Sequence, residues 1–340
     1  MNLKNPFRHY NDSVLCPDAP FPSIEAERPL RLLARCPVYK ETPLHHRIIE
    51  PFKGEFFIKD ERSRMGLGSF KALGAAYVIA HMAQQQSLAN TTFITASAGN
   101  FAQGLAQAAS SRKIPLKVIA PKSASSVKIS KLNKMGVNVK TVDFDVWWDT
   151  MITRKAQEPG YFIHPVSEIS VILGNGGIGL ELCEQLADID NIIVPFGGGG
   201  LVSGIALAAR LSGFKGKIIA CEIETSIPLM CAKNAGRPVK VNREPSWIDG
   251  IGSNGVLNEM WPLLDQVVDE VITITHSEAA SALRLLAQKL SIIAEGAGAV
   301  AVAAGLKNQF LGSKTVAILS GGNIDMCTFS EILLGKDTVY

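Results

Sequence analysis

One unit recurs along this chain: a short apolar strand, a glycine-bearing loop and a helix-forming stretch. GEFFIKDE leads through RSRMGLGS to FKALGAAYVIAHMAQQQ, and TTFITA leads through SAGN to FAQGLAQAASSRK. LKVIAPKSA leads to SSVKISKLNKMG and then NVKTVDF. NIIVPF leads through GGGG to LVSGIALAARLSG, followed by KIIACEIE, and TVAILS runs into GGN. Short apolar strands alternating with helices build parallel sheets covered by helices on both faces. In such sheets ligands gather at the carboxyl ends of the strands. Three Gly-rich loops, SAGN, GGGG and SGGN, fall there. One would be an ordinary tight turn. Three predict a site where backbone must approach a ligand closely.

The rest of the chain narrows the class. At 340 residues and 47% hydrophobic, it can bury a large core in one big domain or two unequal ones, which excludes intrinsic disorder. A net charge of +3 without a basic block argues against nucleic acid. Cys16, Cys36, Cys183, Cys221, Cys231 and Cys327 show no CxxC spacing, so neither a disulfide framework nor a zinc site is expected. The N-terminus has no apolar stretch like a signal peptide. The most apolar run, Ser291 to Leu306, contains Glu295 and is too short to span a bilayer. A cytoplasmic protein without membrane contact is expected. The first forty residues are Pro-rich and read as an arm on the body.

A nicotinamide cofactor can be tested directly. Gly174, Gly176 and Gly179 fit GxGxxG, but VSEISVIL before them is a poor strand, and no acidic residue stands about 20 positions on. GxxxxGK[ST] is absent, so there is no NTPase P-loop. Gly197, Gly198, Gly199 and Gly200 are different. Placed between a strand and a helix, they leave a row of N–H groups at a helix N-terminus, which suits a phosphate monoester.

Here the sequence resembles a known family. Ser69-Phe70-Lys71 in GLGSFKALGA resembles the lysine motif of fold-type II pyridoxal 5′-phosphate enzymes. SAGNFAQG is similar to the SAGNHAQG element of threonine and serine dehydratases, PFGGGGLVSG to their phosphate loop, and LSGGN to their cofactor-nitrogen element. FIHPVSE…GNGGIGLE and AEGAGAVAVAA also have counterparts. The ordered set runs from about Cys36 to about Asn323. The resemblance implies a tryptophan synthase β-like α/β fold. It would have two three-layer domains with mostly parallel sheets: 1–82 with 169–340 as the large one, and 83–168 as the small one. It also implies a homodimer and a small amino-acid substrate.

Roles follow by resemblance. Lys71 would carry pyridoxal 5′-phosphate covalently and act as the base; burial at the start of an apolar helix would lower its pKa and free its amine. Phe70 would pack beside the cofactor ring or simply in the core, and Asn100 would bond the phenolate oxygen. Gly197–Gly200 and the Leu201 amide would hold the phosphate. Ser320 would meet the ring nitrogen, where a neutral hydroxyl favours β-elimination. Ser97, Ala98, Gly99 and Asn100 would bind the substrate carboxylate. Glu295, a carboxylate in an apolar stretch, is costly unless paired; it is either an active-site residue or a structural hydrogen-bond partner.

Within the family, serine racemases carry a serine at position 98 and diaminopropionate ammonia-lyases an aspartate. Ala98 can serve as neither base, which argues for elimination from an L-amino acid such as L-threonine or L-serine. Against that, KDERSRMGLGSFKALG resembles the ammonia-lyase form of the lysine motif, and Phe101 replaces the usual histidine. Diaminopropionate or a hydroxy-amino acid (3-hydroxyaspartate, phenylserine) therefore stays open as substrate. So do β-replacement, whose loop reads TSGN, and a non-catalytic cofactor-binding role. Glu222 matches the first carboxylate of a metal pair found in some members, but Pro228 stands at the second place, so no metal is expected.

Overall fold

The described residues form ten strands: β1 (Leu44–Arg47), β2 (Phe56–Asp60), β3 (Phe93–Ala96), β4 (Leu116–Pro121), β5 (Asn138–Val142), β6 (Tyr161–Phe162), β7 (Asn191–Pro195), β8 (Lys217–Ile223), β9 (Glu270–Ile274) and β10 (Thr315–Leu319). The structure is a computed structural model that describes residues 36, 38–47, 55–124 and 126–339. Most of the expected N-terminal arm, including Cys16, lies outside the described residues.

The strands form a six-stranded sheet in the order β1-β2-β10-β7-β8-β9 and a four-stranded sheet in the order β5-β4-β3-β6. All pairings are parallel except β1 with β2. β2, β7 and β10 are buried throughout, as central strands covered on both faces must be. β5 is the mostly exposed edge of its sheet. Residues 93–162 supply the four-stranded sheet, while the larger one draws strands from both sides of that segment. The sequence pattern gave no sign of β1, β6 or β9. β9 alternates polar and apolar residues at a sheet edge, and β6 is only two residues long.

Helix Lys71–Gln85 packs against both Asn100–Ser110 and Ile169–Asn175, so it stands between the two sheets. The GNGGIG stretch is not a strand-to-helix turn. It joins helix Ile169–Asn175 to helix Gly177–Gln185. A Cβ at Gly174 would fall 2.6 Å from Tyr77 Cβ, and one at Gly179 would fall 2.5 Å from the Ile205 carbonyl. These glycines let helices touch backbone to backbone. Helix Gly296–Gly305 is buried on every face, which explains its uniformly apolar sequence. The five described cysteines are free. No helix among the described residues is long and apolar enough to cross a membrane.

Candidate active site

Lys71 reaches its position through a loop anchored on both sides. Met65, Gly66 and Gly68 take positive φ values of 51°, 74° and 76°. Gly68 is also confined, since a Cβ there would lie 2.6 Å from Asn323 Oδ1. Beyond it, Ser69 bridges Gly321, Phe70 N–H donates to the Ser320 carbonyl at 3.0 Å, and Gly322 N–H donates to the Gly68 carbonyl at 2.9 Å. The lysine loop is thus tied to the SGGN loop after β10. On its other side lies a buried charge network. Lys59, Glu61, Arg64 and Glu181 are each at most 1% exposed. Arg64 binds Glu61 through Nε at 2.7 Å and Glu181 through Nη1 at 2.7 Å, while Lys59 Nζ donates to Glu181 at 2.6 Å. Two cations face two anions, and Thr42 and Tyr39 hydroxyls donate to the same carboxylates. Burial alone would raise the Glu181 pKa, but Arg64 and Lys59 hold it down at about 2.

The three glycine loops converge on one cavity. Its lining includes Phe70, Lys71, Asn100, Gly197, Gly198, Gly199, Gly200, Leu201, Glu295 and Ser320. Lys71 keeps partial exposure along this opening, while protein surrounds its amine. Burial pushes the amine's pKa down, and Glu295 acts in the opposite direction. The amine also lies 5.2 Å from the centroid of the Phe70 ring, and Phe70 itself belongs to the large apolar core. Glu295 sits at the centre of the polar wall. It accepts from Asn100 Nδ2 at 3.0 Å and from Ser320 Oγ at 3.1 Å. Its burial pushes its pKa up to about 7, with Asp249 adding to the rise and the two hydrogen bonds and Lys71 opposing it. Gly321 must be glycine, because a Cβ there would come within 2.8 Å of Glu295 Oε1.

The glycine run between β7 and helix Gly200–Leu211 is fixed by its surroundings. Gly199 has φ +97°, and Cβ atoms at Gly198 and Gly200 would press on Val166 at 2.7 and 2.8 Å. Val166 is placed in turn by His164, whose Nδ1 accepts from the N–H groups of Val166 and Ser167 at 3.1 and 2.9 Å. Burial pushes the His164 pKa down to about 3, so the ring stays a neutral acceptor. Ser97, Ala98 and Gly99 do not line the cavity; they form the turn just before Asn100, and Gly99 has open space where a Cβ would point. Phe101 is buried and lines the cavity as well.

Several contributors went unassigned in the sequence. Asn175 Nδ2 donates to the Gly200 carbonyl at 3.2 Å, and Asn323 Nδ2 donates to Asn100 Oδ1 at 2.9 Å and to the Leu67 carbonyl at 2.8 Å. Both lie inside motifs quoted from the sequence, which was the available signal. Gly250 and Ile251, also in the lining, lie in an irregular stretch with no such signal. Glu222 accepts from the N–H groups of Leu229 and Met230 at 2.7 and 2.9 Å, so it caps helix Pro228–Ala235. Among the described residues no cluster of three His, Cys, Asp or Glu side chains could hold a metal ion.

With this geometry in hand, the chain can be compared with known proteins. A family model described as pyridoxal-phosphate dependent enzyme matches residues 36–321. The L-threonine ammonia-lyase of Thermotoga maritima is 35% identical over 283 residues, covering 82% of this chain and 70% of that one. The catabolic L-threonine dehydratase of Escherichia coli K12 is 32% identical over 317 residues, covering 91% and 94%. The solved structure of maize serine racemase aligns with a TM-score of 0.78 at 27% identity, covering 90% of this chain and 96% of that one.

Proposed function

Because the chain belongs to the pyridoxal-phosphate dependent enzymes of fold-type II, we propose that it is an ammonia-lyase of the threonine/serine dehydratase kind. It takes a small L-amino acid such as L-threonine or L-serine to a 2-oxo acid and ammonia. The observation that carries this reading is the buried amine of Lys71, which shares one cavity with the glycine run, Asn100 and Ser320.

The donor set fits the cofactor. Lys71 offers a primary amine, Gly197–Gly200 and Leu201 offer backbone N–H groups at a helix N-terminus, and Asn100 and Ser320 offer neutral polar groups. When bound, the cofactor supplies an electron sink for the substrate's α-carbon. The residues do the rest. Lys71, its pKa lowered by burial, takes the proton from that carbon. Ala98 carries no titratable group, so no second base stands there, which favours elimination over racemisation. Asn100 lines the cavity at the start of helix Asn100–Ser110, and a substrate carboxylate extending past it meets the Ser97-Ala98-Gly99 turn that lies just outside the cavity lining. Glu295, when protonated, donates to Ser320 and frees that hydroxyl's own proton for a partner in the cavity. We take residues 83–168 as a small domain and the protein as a homodimer, to be checked by sedimentation.

Two measurements test the reading. Lys71→Ala should abolish both the visible absorbance of the lysine-bound cofactor and turnover; a coloured, active variant would sink the assignment. The substrate class is read by assaying 2-oxo acid and ammonia from L-serine, L-threonine, 3-hydroxyaspartate, phenylserine and 2,3-diaminopropionate, with and without sulfide. Cysteine formed with sulfide and without 2-oxo acid would favour β-replacement, and neither ammonia nor cysteine from any of them would favour a non-catalytic protein.

A further inference from the structure

Asn323 ends the SGGN loop, and its side-chain amide has a defined orientation. Its Nδ2 donates to the Leu67 carbonyl at 2.8 Å and to Asn100 Oδ1 at 2.9 Å. A backbone carbonyl can only accept, so the atom beside Leu67 must be the Asn323 nitrogen. The Asn100 atom that meets the same nitrogen must then be its oxygen. On its other side, Asn100 Nδ2 donates to Glu295 Oε2 at 3.0 Å. The donors therefore run one way, from Asn323 through Asn100 to Glu295.

Glu295 alone does not fix the Asn100 amide. Burial raises its pKa to about 7, so it is present in both forms near neutrality, and a protonated carboxyl can meet either end of an amide. An amide N–H such as that of Asn323 can only donate. Asn323 is itself confined: its amide lies against Gly68, where a Cβ would come within 2.6 Å of Oδ1 and 2.9 Å of Nδ2. The Gly322 N–H bond to the Gly68 carbonyl, at 2.9 Å, holds the two loops together at that point. An amide nitrogen carries two N–H donors. Asn100 spends one on Glu295, which leaves the second for an acceptor in the cavity that Asn100 lines.

We propose that Asn323 is a positioning residue for the cofactor: by occupying the Asn100 oxygen, it keeps an Asn100 N–H available to the phenolate oxygen of pyridoxal 5′-phosphate. The proposal rests on reading Asn100 as the partner of that oxygen, and it is independent of which amino acid is the substrate. Without Asn323 the amide is free to turn over and present its own oxygen, which repels an anionic one. Because Asn323 also holds Leu67, one side chain sets both the loop that carries Lys71 and the amide opposite it.

The test compares wild type, Asn323→Ala, Asn100→Ala and the double variant. Two quantities are read: the Kd from titrating pyridoxal 5′-phosphate into the cofactor-free protein, and the pH at which the visible absorbance of the lysine-bound cofactor changes. A ring oxygen that loses an N–H donor holds its shared proton more tightly, so that absorbance change should move to higher pH in both single variants. The Kd should rise by about threefold to tenfold in Asn323→Ala, the range for one hydrogen bond. In the Asn100→Ala background, Asn323→Ala should shift the absorbance no further, since the two residues act as a unit. A tie that served only to hold Leu67 would raise Kd in both backgrounds and leave the absorbance where it was. Asn323→Leu, nearly the same shape without a donor, carries the same comparison if the alanine variant does not fold. A shift in Asn100→Ala but none in the Asn323 variants, or equal Asn323 shifts with and without Asn100, overturns the proposal. An unshifted Asn100→Ala instead removes Asn100 as the partner of the ring oxygen, and the proposal falls with it.

Discussion

Replacing Glu181 by Gln tests how the lysine loop is held. The two side chains are nearly the same size, so the substitution removes a charge and little volume. Glu181 is 1% exposed and accepts from Lys59, Arg64, Thr42 and Tyr39. Without its charge, two buried cations face Glu61 alone. Removing one partner of a buried ion pair costs about 3–5 kcal/mol, because the remaining charge stays desolvated and uncompensated. For a chain of 340 residues the unfolding entropy is about 0.7 kcal/mol/K, so Tm should fall by roughly 4–7 °C. Calorimetry and urea denaturation read this directly. The pH dependence gives a second check. The folded Glu181 pKa of about 2 lies below its ordinary value of 4.5. Its stabilisation is therefore complete above the ordinary value and is lost as pH falls through the folded one. The wild type should lose this increment on acidification, and Glu181→Gln should have none to lose. A Tm change under about 1 °C would refute the reasoning, since it would mean that the network is hydrated or easily rearranged.

Two further outcomes follow from the site. Gly199→Ala places a side chain at φ +97° and 2.9 Å from Leu264 Cδ1, so cofactor affinity should fall roughly fivefold to thirtyfold by titration, with the fold retained by circular dichroism. Glu295→Gln should remove a limb near pH 7 from the kcat/KM profile. Because the folded Glu295 pKa is raised to about 7, the wild type should also lose stability as pH rises from its ordinary value through about 7, and the glutamine variant should not.

Much of the plan was legible in the chain itself. Apolar runs marked β2, β3, β4, β7, β8 and β10, because a strand covered on both faces is apolar along most of its length, whereas β5, a mostly exposed edge, was marked only by its place after a helix-forming stretch. The glycine loops and Lys71 stood out because each needs a particular residue type at a particular place after a strand. Local pattern could not give what depends on distant partners. GNGGIG fits the spacing of a nucleotide fingerprint without its context, but that its glycines serve helix contacts is revealed only by the packed neighbours that a Cβ would strike. Glu295 could be read as costly, but not as the common acceptor for Asn100, 195 positions away, and Ser320. The pairing of Arg64 with Glu181 spans 117 positions. The alternation, the glycine turns and the lysine motif can be read along the chain because they follow from backbone preference and burial period. Tertiary structure alone decided which charges face one another, because Coulomb energy and desolvation depend on distance through space and not along the chain.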